Sequence, residues 1–94
     1  MVSEDERATL EAVIEKAQAS IHHHAHVPRE RVLLRDYRSV FWRDSAMGLH
    51  PQPGERVERK NRPGYMLLFE TPVGYYRIHA DATTRAIKLD THWS

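Results

Sequence analysis

Two hydrophobic patterns with different periods divide the chain. Between residues 3 and 26, apolar side chains recur three or four positions apart, as on one face of a helix: Leu10, Val13, Ile14, Ala17 and Ile21. Between residues 65 and 93, apolar and polar side chains alternate, which indicates β-strands. Turn residues at 71–74 and 81–84 divide this stretch into a predicted three-stranded antiparallel meander. We therefore expect an α+β fold in which the N-terminal amphipathic helix packs on a small antiparallel sheet.

The ends of the predicted helix also follow from its sequence. Ser3 and Glu6 have the spacing of a capping box, and Glu4 and Asp5 lie where the helix dipole favours negative charge. The helix should end before Pro28, because the residue before a proline is disfavoured in the α conformation.

The first turn decides which side chains share a face of the sheet. Pro72 suits a type I turn, and Gly74 can take the left-handed conformation that follows it in a three-residue loop, which pairs Thr71 with Tyr75. This register predicts one aliphatic face: Met66, Leu68, Glu70, Tyr76, Ile78, Ala80, Ile87, Leu89, Thr91 and Trp93. It predicts an opposite face with most of the ionisable groups: Tyr65, Leu67, Phe69, Tyr75, Arg77, His79, Lys88, Asp90 and His92. A two-residue loop would exchange the two faces of the first strand.

Residues 29–43 carry two competing patterns. Their apolar positions fit a helical stripe, and Pro28 suits a first helical position, so a second helix is favoured. The same residues are rich in Val, Tyr, Phe and Trp, which are common in strands; a hairpin here would enlarge the sheet to four or five strands. In the helical alternative Arg31, Arg35 and Arg38 form a basic line, which is either a solvated face or a contact for a phosphate or an acidic partner.

The stretch from 45 to 64 has the composition of a long charged loop. Glycine and proline interrupt it repeatedly, and it carries the densest basic cluster of the chain: Arg56, Arg59, Lys60 and Arg62. A loop this long in a small domain is often functional. No repeat or second domain is evident, so residues 1–94 are expected to form one domain.

Composition excludes several classes of function. The chain has no cysteine, which removes disulfides, thiol catalysis and thiolate metal sites and fits a reducing compartment. It has no apolar run long enough to span a membrane, and its acidic start is unlike a signal peptide. We expect a soluble cytoplasmic protein without a cofactor. The net charge of +1 is too even to indicate nucleic-acid binding by itself, although the middle third is basic.

A histidine cluster lies at the end of the predicted helix. His22 and His26 are four residues apart, which places both imidazoles on one side of a helix and within reach of a metal such as zinc. A third ligand would have to come from His50, His79, His92 or a carboxylate, and no spacing predicts it. The favoured interpretation is a polar helix end, in which protonated imidazoles interact with the last carbonyl groups.

The ionisable face of the sheet has the groups needed for metal-independent RNA cleavage. His79 and His92 could act as general base and general acid, while Arg77 and Lys88 stabilise the charge of the transition state. Tyr65 or Tyr75 could stack a base. The same residues are also what one solvated face of an antiparallel sheet contains.

The layout of a helix, an antiparallel sheet and a late histidine resembles the small microbial ribonucleases and related bacterial RNase toxins. Glu70, Arg77, Arg85 and His92 repeat the order of functional residues in that family, which implies an RNA substrate. The predicted register places Glu70 and Arg85 on the face opposite Arg77 and His92, so the chain is not assigned to that family.

The favoured hypothesis is a small non-catalytic interaction protein, a modulator or inhibitor of the kind encoded by phages and plasmids, that binds a protein or RNA partner. Aromatic and arginine side chains dominate binding interfaces. The expected contact residues are Tyr65, Phe69, Tyr75, Arg77, Arg31, Arg35, Arg38, Arg59 and Lys60, with Trp42 as a further aromatic side chain. A homodimer through a sheet edge is a further expectation.

Overall fold

The fold consists of a long helix and a four-stranded antiparallel meander. The computed structural model describes residues 4–49, 51 and 53–90. The elements, in chain order, are α1 (Glu4–Ala25), a 3-10 turn (Arg29–Arg31), β1 (Leu33–Trp42), β2 (Arg62–Thr71), β3 (Gly74–Asp81) and β4 (Ile87–Asp90). The strands lie side by side in the order β1-β2-β3-β4. The predicted α+β class is confirmed.

The helix ends through a change in backbone conformation at one histidine. His26 takes a positive φ of 56°, and its N–H donates to the carbonyl of His22 at 3.0 Å. A positive φ breaks the helical path, and Pro28 then prevents the chain from resuming it. Ser3, the predicted capping residue, lies outside the described residues.

The predicted apolar stripe of α1 is the side that packs on the sheet. Val13, Ala17 and Ile21 are completely buried, and Leu10 and Ile14 pack around them. We call the sheet face under α1 the helix face; its buried side chains are Tyr65, Leu67, Phe69, Ile78 and Ala80. This apolar contact is the main core of the protein, since burial of aliphatic and aromatic side chains is the dominant favourable term in folding.

The favoured prediction of a second helix over residues 29–43 is wrong. The helical part is limited to the 3-10 turn, and the remainder is the ten-residue strand β1 paired along β2. The pattern of apolar residues in this segment fits both a helix and a strand. Pairing with β2 provides hydrogen-bond partners for the backbone N–H and C=O groups, and the Val, Tyr, Phe and Trp side chains suit a strand. The register of β1 shifts between Leu34 and Asp36, where a β-bulge accommodates the extra residue Arg35.

The predicted register of the first hairpin is also wrong by one residue. Thr71 pairs with Gly74, so the loop contains only Pro72 and Val73. The Thr71 side chain closes this loop, because its Oγ1 donates to the Gly74 carbonyl at 2.8 Å and accepts the Val73 N–H at 3.2 Å. Proline cannot take the positive φ of the usual two-residue hairpin turns. Gly74 instead has a φ of 133°, which an L-residue rarely adopts.

The shorter loop exchanges the two faces of β2. Tyr65 and Phe69, which were predicted beside Arg77, pair with Ala80 and Tyr76 and lie on the helix face. Met66, Leu68 and Glu70 move to the opposite face, which we call the open face. The assignments within β3 and β4 are as predicted: Tyr75, Arg77, His79, Lys88 and Asp90 share the open face. His92, Thr91 and Trp93 lie outside the described residues.

The long connection between β1 and β2 covers residues 43–61, and its described part (43–49, 51 and 53–61) folds back over part of the open face. Ser45 and Glu58 close its base, since the Ser45 N–H donates to the Glu58 carbonyl at 2.9 Å and the Glu58 N–H donates to Ser45 Oγ at 2.8 Å. Among the described residues of this loop, Ala46 and Met47 are buried, and the Met47 carbonyl contacts His79 of β3. Among the described residues, no helix has the length and apolar character required to cross a membrane.

Candidate interaction surface

Under the loop, the side chain of one tryptophan lies across β2 near one end of the sheet. The indole of Trp42 is 8% exposed and stacks on the imidazole of His79, with ring centroids 5.0 Å apart and planes inclined by 10°. The indole lies across β2, and its Nε1–H donates to the Ala80 carbonyl of β3 at 2.7 Å. The crossing point is Gly64, where a Cβ would collide with the indole and with the Ala80 carbonyl. We refer to Trp42, Met47, Gly64 and His79 as the Trp42 cluster.

His79 is sealed inside this cluster. Its side chain is buried, and its Nδ1 lies 2.7 Å from the Met47 carbonyl oxygen. Because a carbonyl only accepts, Nδ1 carries a proton and donates it. Nε2 lies 3.4 Å from Oδ2 of Asp90 without forming a hydrogen bond. The predicted role of His79 in proton transfer needs an imidazole that a substrate can approach, and this imidazole is enclosed by protein.

A buried ion pair closes the end of the sheet beside the Trp42 cluster. Arg62 donates from Nη1 to Oδ2 of Asp81 at 2.7 Å, and Oδ1 of Asp81 accepts the N–H groups of Thr83 and Thr84 at 2.7 and 3.2 Å. Burial by itself raises the pKa of the Asp81 carboxyl, but the hydrogen bond from Arg62 and those from the two backbone groups together lower it below its ordinary value. The hydrogen bond that Arg62 donates to Asp81 correspondingly raises the pKa of Arg62.

Lys88, the second predicted charge-stabilising residue, is engaged with the loop. Its Nζ donates to both carboxylate oxygens of Glu55, at 2.6 Å to Oε1. The two side chains are about four-fifths buried. Lys88 therefore holds residues 43–61 against the sheet, and its ammonium group is already compensated.

The half of the open face that the loop leaves uncovered has a different character. Successive cross-strand neighbours form a row of Asp36, Leu68, Arg77 and Asp90, and Arg38 lies beside Met66 in the next row. We call Arg38, Met66, Leu68 and Arg77 the arginine strip. A groove of about 230 Å³ runs along it, with Asp36 in its wall.

Two exposed apolar side chains extend the arginine strip. Tyr75 is 53% exposed and Leu33 is 44% exposed, and both lie in the row that contains Glu70. Arg77 reaches back over the strip and places its Nη1 3.5 Å from Sδ of Met66. This part of the sheet therefore combines two guanidinium groups with thioether, aliphatic and phenolic surface.

The other predicted contact residues are distributed over several parts of the fold. Tyr65 and Phe69 are buried on the helix face, and burial raises the pKa of the Tyr65 hydroxyl. Arg31 is exposed in the 3-10 turn, while Arg59 and Lys60 are exposed in the loop. The helical line of Arg31, Arg35 and Arg38 does not exist because this segment is a strand. Arg35 instead lies at the bulge and donates to Glu70 at 2.5 Å.

The residues behind the resemblance to ribonucleases are only partly brought together. Glu70 shares the open face with Arg77, contrary to the predicted register, but it is paired with Arg35. Arg85 lies in the turn after β3 with a φ of 62°, and its carbonyl accepts a hydrogen bond from Lys16. Since His92 is outside the described residues, its position relative to this group is not part of the observed geometry.

The two candidate metal ligands at the helix end have different surroundings. His22 is still helical, with Nδ1 2.6 Å from the Val27 carbonyl, and its ring stacks parallel to that of His23. His26 follows the helix in a left-handed conformation, so the helical spacing that predicted a shared side no longer applies. In residues 4–49, 51 and 53–90, no group of three or more His, Asp or Glu side chains is arranged to hold a metal ion.

Comparison with protein families gives one match. Residues 14–89, which include just over half of α1, the whole of β1, β2 and β3 and all but the last residue of β4, match a family described as a domain of unknown function (DUF8738). The chain belongs to this family. The matched region contains both the Trp42 cluster and the arginine strip, so these features lie within the family domain. No curated protein and no solved structure matches the chain.

Sequence reasoning missed Met66 and Leu68 as surface residues. Both were predicted in the core because the longer turn placed them with Ile78. The sequence does contain a basis for the correct choice of register. A two-residue loop of Pro72 and Val73 places Tyr65, Leu67 and Phe69 opposite Ala80, Ile78 and Tyr76, respectively. That register makes one face of the hairpin almost continuously apolar, which is the expected property of a helix-covered face.

Proposed function

We propose that this protein is a non-catalytic interaction protein, a modulator or inhibitor that binds a protein partner through the arginine strip. The observation that carries this proposal is the position of Arg38 and Arg77 on either side of half-buried Met66 and Leu68, on the part of the sheet that the loop does not cover. Arginine combined with apolar surface is typical of binding interfaces.

The chemistry of the strip favours a protein partner over RNA. Recognition of single-stranded RNA depends on exposed aromatic rings that stack bases. On the open face Tyr75 is exposed, but Trp42 is covered by the loop, and Tyr65 is buried on the other side. The charges of Asp36 and Asp90 also lie in the same row as Arg77 and would repel a phosphate backbone. The matching surface on a partner presents a carboxylate between apolar groups.

Direct capture tests this proposal. The wild-type chain is immobilised, incubated with extract of the source cells and compared with the double variant Arg38→Ala, Arg77→Ala. We expect one stoichiometric protein on the wild-type chain and at least a tenfold loss on the double variant, because removal of two interfacial arginines costs about 2 kcal/mol or more. Arg7→Ala, on the exposed side of α1, is the matched control and should capture as much as wild type.

Equal capture by the double variant and by wild type would show that the strip is not the contact surface. Failure to recover any stoichiometric partner in repeated experiments would contradict the proposal as a whole. An RNA-degradation assay in EDTA covers the ribonuclease hypothesis. Cleavage by wild type that disappears in His79→Ala would replace the interaction proposal with an enzymatic one.

A further inference from the structure

The outer edge of β1 has unpaired backbone N–H and C=O groups, and the hydrogen-bond pattern of the sheet shows which residues carry them. The carbonyl of Pro63 accepts the N–H of Ala82, so odd-numbered residues of β2 point their backbone groups towards β3. The even-numbered residues of β2 therefore point towards β1, and their partners in β1 point back. It follows that Tyr37, Ser39 and Phe41 direct their N–H and C=O groups away from the sheet.

Side chains along this edge are also left uncovered. The backbone of α1 approaches β3 and β4 most closely, and an open cleft lies between its first turns and β1. As a result Tyr37 and Phe41, which are both on the helix face, are 45% and 79% exposed. Beside them a cleft of about 380 Å³ separates Phe41 and Tyr65 from the first turns of α1.

The usual protection against edge-to-edge pairing is sparse beyond the first residues of β1. Natural edge strands are commonly blocked by proline, by charged side chains, especially lysine, or by a bulge. β1 contains neither proline nor lysine, its bulge lies at Leu34 to Asp36, and its charged side chains beyond Arg35, those of Asp36 and Arg38, are both on the open face. Residues 36–42 therefore form a regular edge with apolar side chains and unpaired backbone groups.

We propose that this edge pairs with the same edge of a second copy, in an antiparallel arrangement with a two-fold axis at Ser39. In such an arrangement, residues at equal distances on either side of Ser39 face each other. Tyr37 of each copy therefore faces Phe41 of the other copy. Ser39 faces Ser39, and each of these three pairs exchanges two backbone hydrogen bonds. The two copies form a continuous eight-stranded sheet, since each contributes four strands.

The register is the one that pairs residues 36–42 along their whole length, since an axis at Val40 or Phe41 would place Tyr37 opposite residues beyond the end of β1. An axis at Arg38 would place two arginines directly opposite each other, which is destabilising. An axis at Tyr37 would place Ser39 of one copy opposite Arg35 of the other, where the bulge interrupts the regular strand. An axis at Ser39 uses only residues 36–42 and places aromatic side chains opposite each other, which is a favourable cross-strand combination.

The arrangement has a consequence for the open face, although it does not depend on the proposed function. A two-fold axis perpendicular to a sheet keeps both helices on the same side. The two arginine strips therefore lie on the other side, related by the same axis. The second copy brings a duplicate of any binding site on the open face, so a dimer presents two sites for one extended or symmetric partner.

Sedimentation equilibrium tests the association without any partner. We expect the wild-type mass to rise towards twice the chain mass between low and high micromolar concentrations, while Ser39→Pro stays monomeric. Proline at this position removes an N–H that points outward, and edge strands tolerate such a proline. Phe41→Ser should also abolish the dimer, whereas Val73→Ser, at the exposed hairpin tip, is the matched control and should dimerise normally. A wild-type chain that remains monomeric at high micromolar concentration would overturn the proposal.

Cysteine cross-linking tests the register, because the natural chain has no cysteine. Ser39→Cys should form a disulfide-linked dimer under mild oxidation, and a mixture of Tyr37→Cys and Phe41→Cys should form mainly the mixed dimer. Thr84→Cys, in the exposed turn after β3, is the control for collisional cross-linking. Preferential Tyr37→Cys homodimers, or equal yields for positions 39 and 84, would contradict an axis at Ser39.

Discussion

The two faces of the sheet are covered by different means. On the helix face, a regular element places Val13, Ala17 and Ile21 in one core with the buried side chains of β2 and β3. On the open face, an irregular loop covers half of the sheet through one stacked indole, the buried residue Met47 and the Glu55–Lys88 ion pair. The other half of the open face is left with the arginine strip.

This difference suggests that the two faces have different roles, with stability depending mainly on the helix face and binding on the open face. Apolar area in a continuous stripe stabilises a fold whatever the details of each contact, because the hydrophobic effect is non-directional. Hydrogen bonds and aromatic stacking under the loop depend on the geometry of a few groups, and each contributes less. We therefore expect the helix face to determine whether the chain folds, and the loop to determine which part of the open face is available for binding.

The largest expected difference between the faces comes from two adjacent leucines. Leu67→Ala should lower the free energy of unfolding by about 2–5 kcal/mol, because it leaves a cavity in the core. Leu68→Ala, one residue further on the open face, should cost only about 1 kcal/mol. Urea denaturation of both variants measures this contrast. Equal losses, or a larger loss for Leu68→Ala, would contradict the two-residue hairpin loop.

A glycine substitution tests the crossing point under Trp42. Gly64→Ala should destabilise the protein by about 1–3 kcal/mol, because its Cβ would occupy the position of the indole and approach the Ala80 carbonyl. Tryptophan fluorescence should shift to longer wavelength as Trp42 becomes exposed to water.

The combination of Gly64→Ala with Trp42→Ala serves as the control for that prediction. Without the indole, its part of the steric conflict is removed, while the Ala80 carbonyl, which is equally close to the added Cβ, remains. The added methyl group should therefore still destabilise the protein, but by less than it does in the wild-type background. If the two substitutions were strictly additive, the indole would not be the group that requires glycine at position 64.

Acid stability should report the buried Asp81. Its folded-state pKa is lowered, so its contribution to stability is complete above its unfolded pKa of about 3.9 and is lost as the pH falls through the folded value. Asp81→Asn should be less stable than wild type by about 1–3 kcal/mol at pH 7 and should lose less stability on acidification. Thermal unfolding between pH 7 and pH 2.5 measures both effects.

The exposed Asp36→Asn is the matched control, since it makes the same change in charge on another part of the sheet. It should remain close to wild type in stability at pH 7. An Asp81→Asn variant that loses stability on acidification as steeply as wild type would show that this carboxylate is not a source of the acid dependence.

The smallest effect is expected at the attachment of the loop. Glu55→Gln should cost about 1 kcal/mol in global stability, because the glutamine keeps an oxygen that accepts a hydrogen bond from Lys88 and only the charge of the pair is lost. Hydrogen exchange should nevertheless accelerate in residues 43–61 if this ion pair holds the loop. Exchange that increases equally in α1 would show that the loop and the helix face open together, which contradicts their separation.

Several features of the fold could be predicted from local sequence. The period of Leu10, Val13, Ile14, Ala17 and Ile21 identifies the side of the helix that is buried, and Pro28 explains why the helix does not continue. The alternation after residue 74 correctly groups Arg77, His79, Lys88 and Asp90 on one face. These predictions succeed because each depends on a geometric period within a single element.

Other features depend on contacts between distant segments, which local patterns do not specify. Residues 29–43 fit a helix and a strand about equally, and pairing with β2 decides between them. The loop length at Pro72 and Val73 exchanges every side chain of β2, so one residue determines whether Leu68 or Leu67 is in the core. The candidate site was affected most, because the burial of His79 requires Trp42 and Met47 to reach it from another strand and from a loop.

The sequence by itself determined an α+β chain with one buried side of its helix and a predominantly ionisable face on its last two strands, because side-chain periods of 3.6 and 2 are local properties. Only the tertiary structure decided that His79 is enclosed, that Met66 and Leu68 are at the surface and that β1 has an uncovered edge. The physical reason is that burial depends on what the rest of the chain places above a residue, and here that is a long loop and a helix that covers only part of the sheet.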